Sequence, residues 1–128
     1  MSRAGERERR HSGAALRVPF VRRCVLTVEN GPPRTAFTVN LNARGVYVAD
    51  GEMPRLGDRV VCRLRLPGNE IEVEAKGVVA WVNPNQLHRV HSLPPGFGVK
   101  FETLPAEITA AFEEIVREYL ARNPGSRG

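Results

Sequence analysis

The sequence predicts an all-β domain with one helix: about six antiparallel strands closing into a small barrel, then a C-terminal amphipathic helix. Three observations carry this reading. Apolar and charged residues alternate over Asp58–Leu66 and again from Glu70 onward. Tight-turn signals, N-G-P-P at 30–33 and P-G-N at 67–69, separate short β-branched runs. Only one segment has helical period, and it lies near the end of the chain, where Ile108, Phe112, Ile115 and Tyr119 share a face. Strands joined this closely leave edges that closure into a barrel removes. At 128 residues the chain has room for one core.

Residues 1–16 (MSRAGERERRHSGAAL) show no hydrophobic period and read as a mobile arm that orders on binding. Residues 1–23 hold seven arginines against Glu6 and Glu8, a net of +5, which equals the net charge of the whole chain. The excess is therefore confined to the N-terminal stretch, and it favours a phosphate-bearing or otherwise anionic partner. No stretch of apolar residues is long enough to cross a membrane or to serve as a signal-peptide core, so a cytoplasmic protein without membrane insertion is expected. Cys24 and Cys62 each sit inside a strand-like run, which predicts free buried thiols.

Phe20–Glu29 is the first expected strand, ending at the N-G-P-P turn, and Arg34–Leu41 pairs back across that turn. Gly45–Ala49 is the third, reached through a polar turn that closes on Gly45. Asn40 and Asn42 stand two residues apart and should point the same way. Gly45 either takes φ > 0 or lets a backbone or ligand approach closely. In Asp58–Leu66, Val60, Cys62, Leu64 and Leu66 share one face while Arg59, Arg63 and Arg65 share the other. Glu70–Val82 alternates as far as Lys76 and then turns continuously apolar (VVAWV). A bulge at Gly77, or burial on both faces beyond it, is expected. Asn83–Gly96 is a long loop of the kind that is functional or mobile. Phe97–Glu102 is the last strand. The helix follows, with Thr103 as expected N-cap and Pro105 in its first turn, and N-P-G at 123–125 stops it. The resulting division is an arm (1–16), a barrel with its helix (17–122) and a short tail (123–128).

Catalysis finds little support in this pattern. No serine stands in a nucleophile-elbow context, and no paired carboxylates sit at apolar strand ends. Cys24, Cys62, His88 and His91 lack metal-ligand spacing, so no metal is expected. Trp81 reads as core or barrel-rim packing rather than a base-stacking platform. Aromatic residues are not interleaved with the arginines, which argues against single-stranded nucleic acid, although a basic barrel that binds nucleic acid through its arm stays among the readings.

The order of segments resembles that of a known family. An Arg-rich arm enters the first strand at R-V-P-F-V-R-R-C (17–24), N-L-N-A-R-G (40–45) follows, then G-V-V-A-W-V-N (77–83), P-P-G-F-G-V-K-F (94–101) and a terminal helix. Over roughly residues 9–120 the chain closely resembles a PilZ domain. The resemblance implies a six-stranded antiparallel PilZ-type barrel plus C-terminal helix, non-enzymatic, without a cofactor. It also implies a receptor for cyclic di-GMP that acts on motility, polarity or surface behaviour through a protein partner. The family signature is R-x-x-x-R in the arm and (D/N)-x-(S/A)-x-x-G on the barrel. Asn40, Asn42 and Gly45 take the three barrel places, and Arg9, Arg10 and Arg17 are the arm residues expected to clamp phosphate and guanine. The arginine motif departs from the pattern, because pairing either Arg17 or Arg9 with a partner four residues away lands on Gly13. Loss of one bidentate contact costs about 1.5–3 kcal/mol, roughly ten- to a hundredfold in affinity. A PilZ adaptor that binds no nucleotide and works through protein contacts is therefore the second reading.

Overall fold

The computed structural model describes residues 16–68, 70–84 and 93–124. Seven strands run in the order β1 (Val18–Pro19), β2 (Arg23–Val28), β3 (Arg34–Asn42), β4 (Gly45–Ala49), β5 (Arg59–Arg65), β6 (Glu72–Asn83) and β7 (Gly96–Phe101), followed by helix α1 (Ala106–Arg122). All pairings are antiparallel. The sheet runs β3-β2-β5-β6-β7-β4, and β4 pairs back onto β3, so six strands close a barrel with β1 added outside β3. Closure follows from the pattern of the strands, since each offers one apolar face. Leu26, Val48, Val60, Ala75, Phe97 and Val99 meet inside and are almost wholly buried. Cys24 and Cys62 lie in the same core as free thiols. Contact with Cys24 and burial both push the Cys62 thiol up.

Two bulges decide which residues reach the core. In β3 the register with β4 slips between Thr38 and Asn40, leaving Val39 as the extra residue. Ala36 and Thr38 face inward before the slip and Leu41 after it. Without the bulge Asn40 would share the inward side of Thr38. The same corner interrupts the first expected strand. Phe20–Arg22 is not part of a ladder, and the strand begins at Arg23 after the short β1. At this bend the buried Thr38 hydroxyl stands in for ladder bonds. It donates to the Phe20 carbonyl at 2.5 Å and accepts from the Arg22 N–H at 2.9 Å.

The second bulge lies in β6 between Val79 and Trp81, at Ala80, and not at Gly77 as the sequence suggests. Gly77 is in regular register with both Val60 and Phe101. Its missing side chain answers a different need, because a Cβ there would stand 2.3 Å from the Lys100 carbonyl oxygen. The slip at Ala80 accounts for the unbroken apolar run that follows Lys76. Trp81 turns across Gly98 and packs on Tyr47, ring centroids 5.3 Å apart. Tyr47 is fully buried; its hydroxyl donates to the Pro94 carbonyl at 2.6 Å and accepts from Asn83 Nδ2 at 3.1 Å. These bonds tie together the two ends of the loop whose middle, residues 85–92 with His88 and His91, lies outside the described residues.

Helix α1 lies against the barrel end where β3, β5 and β7 finish. Phe112 is its fully buried residue and stacks on Phe101, centroids 5.4 Å apart, while Ile108, Ala111, Ile115 and Val116 pack half-buried on the core. The expected cap at Thr103 is replaced by Pro105, which holds the N-cap position with no side-chain cap bond. Its carbonyl accepts from the N–H groups of Ile108 and Thr109, both at 3.0 Å. A proline keeps the residue before it out of helical geometry, so the helix cannot start earlier. At the other end the Asn123 side-chain amide donates to the Tyr119 carbonyl at 2.9 Å, close to the expected stop.

Candidate functional site

The β3–β4 hairpin, with the segment that crosses it at Leu16–Arg17, forms the site that the sequence singles out. Asn42 holds the turn. Its Oδ1 accepts from the N–H groups of Arg44 at 2.8 Å and Gly45 at 3.0 Å, and its Nδ2 donates to the Leu16 carbonyl at 3.3 Å. It is 5 % exposed. An Asn here thus builds the turn and straps the incoming chain to it. Asn40, turned outward by the bulge at Val39, meets the next residue of the same strap. Arg17 Nη1 donates to Asn40 Oδ1 at 3.5 Å, at the limit of a hydrogen bond. Both asparagines therefore face the strap.

Gly45 is buried without positive φ, so close approach is what requires it. A Cβ there would stand 2.4 Å from the Val99 carbonyl oxygen and 3.3 Å from Arg17 Nη2. The Arg17 guanidinium accordingly lies directly over Gly45. It is half-buried, and burial pulls its pKa down from the ordinary value; a guanidinium nevertheless stays charged at neutral pH. Among the described residues no carboxylate forms an ion pair with Arg17. The geometry is a planar donor fork, partly desolvated and without a counter-ion among the described residues, above a backbone with no side chain. Such a fork fits a phosphate or the O6/N7 edge of guanine.

Arg17, Asn40, Asn42 and Gly45 are thus brought together, while Arg9 and Arg10 lie outside the described residues. Arg22 and Arg23 are placed elsewhere: Arg22 pairs with Glu70 at 3.7 Å, and Arg23 stands exposed opposite Phe37. One cation was not singled out from the sequence. Lys100 lies in register with Gly45 on β7, and residues in register share a face. It is exposed and has no ion-pair partner among the described residues. Its alternation with Val99 and Phe101 was the available signal, but strand order had to be known before it could be set beside Gly45. Among the described residues no group of three or more His, Cys, Asp or Glu side chains could hold a metal ion, and no helix is long and apolar enough to cross a membrane.

The model of the PilZ domain family matches residues 6–121. Among solved structures, the chain is similar to one described as the structure of Bacillus subtilis Inhibitor of motility (MotI/DgrA), with a TM-score of 0.61 at 18 % identity. The match covers 84 % of this chain and 51 % of that one, so the chain spans about half the length of that structure. At this identity the likeness is one of fold. No curated protein matches the chain.

Proposed function

We propose that this chain, which belongs to the PilZ domain family, is a cytoplasmic, non-enzymatic receptor that binds cyclic di-GMP at the β3–β4 hairpin. Through a protein partner it then acts on motility, polarity or surface behaviour. The observation that carries this reading is the half-buried Arg17 guanidinium, set over Gly45 and beside Asn40 without a carboxylate partner among the described residues. A partly desolvated charge without a counter-ion is costly, and an anionic ligand with a guanine edge relieves that cost. Gly45 lets the Val99 carbonyl and the Arg17 guanidinium close in on the hairpin, Asn40 beside Arg17 is assigned to the ligand, and Asn42 shapes the turn. Arg9 and Arg10, in the arm of residues 1–16, are assigned to the phosphates, and Lys100 adds positive charge from the barrel. The barrel and helix, 17–122, form the folded unit in this reading, with 123–128 as a tail.

A second reading is favoured by two particular facts. Gly13 stands where the arginine spacing wants an arginine, and Asn42 Oδ1 is already occupied by two backbone N–H groups. In that reading the chain is an adaptor that binds no nucleotide. The similar Bacillus subtilis protein is described as an inhibitor of motility, which supports the choice of motility machinery in either case. Titration calorimetry with cyclic di-GMP, and GTP as control, separates the two. Saturable binding in the micromolar range or tighter, absent with GTP, is the expected result. No heat at high ligand concentration retires the receptor in favour of the adaptor.

A further inference from the structure

We propose that the outer face of β2, β3 and β5 is a docking surface for an acidic protein segment that carries apolar side chains. The register builds this face. Arg23 stands opposite Phe37, and Val25 stands opposite Thr35 on one side and Arg63 on the other. Arg65 lies two residues beyond Arg63 on the same face of β5. Between these side chains runs a groove of about 560 Å³, which Val21 also lines. Phe37 is 50 % exposed and Val21 71 %, although both are large apolar residues. An apolar strip of this kind, rimmed by polar residues, marks a contact site.

The charge on the face says what covers it. Arg63 is registered opposite Glu74 and Arg65 opposite Glu72, yet neither pair forms an ion pair. Arg65 instead donates to the Glu70 carbonyl at 3.2 Å, and Arg23 also has no ion pair among the described residues. Three guanidiniums thus border the apolar strip with no ion pair among the described residues. Carboxylates spaced along an extended segment meet them at the strand and residue spacings of a sheet, while alternate apolar side chains reach Phe37 and Val25. A nucleic acid fits less well. Among the described residues Phe37 is the one aromatic side chain lining the groove, too few for successive bases to stack on.

The test uses a fluorescently labelled peptide, Glu-Leu-Glu-Phe-Glu-Leu-Glu, and anisotropy against the full chain, with the Gln-for-Glu peptide as control. The double variant Arg23→Glu, Arg63→Glu weakens binding by about tenfold or more, and Phe37→Ser weakens it several-fold. Affinity falls as salt rises from about 50 to about 300 mM. Both variants change exposed side chains, and an unchanged melting temperature verifies that they are folded. The proposal is overturned if the acidic peptide does not bind, if the variants bind it as the parent does, or if the glutamine peptide binds equally. It is also overturned if a single-stranded DNA oligomer or an anionic lipid vesicle binds more tightly in an Arg23- and Arg63-dependent way.

Discussion

In the proposed receptor, replacing Arg17 with alanine is expected to lower the affinity for cyclic di-GMP by roughly ten- to a hundredfold while leaving the melting temperature nearly unchanged. The first half follows from the contact that is lost. A bidentate bond from a guanidinium to a phosphate or to guanine contributes about 1.5–3 kcal/mol, because donor and acceptor are charged or strongly polar and partly removed from water. The second half follows from how little Arg17 contributes to the fold. Its hydrogen bond among the described residues is the 3.5 Å contact to Asn40, and the strap is held instead by the Leu16 carbonyl on Asn42 and by Val18 in the core. Lysine at the same position keeps the charge but not the fork, so Arg17→Lys recovers only part of the loss. Calorimetry on the three proteins measures this directly. An unchanged Kd in Arg17→Ala removes the residue from the site.

Phe112→Ala destabilises the domain by about 3–5 kcal/mol, the cost of truncating a fully buried aromatic side chain. Against a total stability of about 5–15 kcal/mol this is a large share. The effect is concentrated at Phe112 because the rest of the apolar stripe of α1 is only half-buried. Ile108, Ile115 and Val116 lean on the barrel end, whereas Phe112 enters it and stacks on Phe101. Urea denaturation followed by circular dichroism measures the loss. Leu120→Ala, at a half-exposed position on the same helix, is expected to cost much less. A change below about 1 kcal/mol at Phe112 would show that the helix contributes little to the barrel.

Much of the architecture was legible because local patterning and tertiary burial agree. Gly45–Ala49 occupies its expected bounds, and the alternation over Asp58–Leu66 separates the buried Val60, Cys62 and Leu64 from the exposed Arg59, Arg63 and Arg65. The helical stripe likewise identified the face of α1 that meets the barrel. What escaped was set by contacts distant in sequence. The extra residues at Val39 and Ala80 show only in the register with β4 and β7, and nothing local distinguishes Ala80 from Gly77 as the place for a bulge. Thr103 has a cap-forming side chain, but Pro105 dictates where helical geometry can begin.

The candidate site was legible as a cluster and less so in the roles of its members. N-x-N-x-x-G marked the hairpin, and Arg17 is next to it as the family pattern implies. The two asparagines, alike in sequence, differ in environment: one shares its carbonyl oxygen with Arg17, the other gives it to two backbone N–H groups. Lys100, fifty-five positions after Gly45, joins them only once β7 is seen to pair with β4.

The most direct test of the account is an amide correlation spectrum of the isotope-labelled chain, followed as cyclic di-GMP is added. Binding at the β3–β4 hairpin predicts saturable shifts gathered at Gly45, at the side-chain amide of Asn40 and at residues 16–18, with Lys100 also affected and the groove beside Phe37 unchanged. Shifts that fall elsewhere on the barrel, or a spectrum unaltered at saturating ligand, would contradict it.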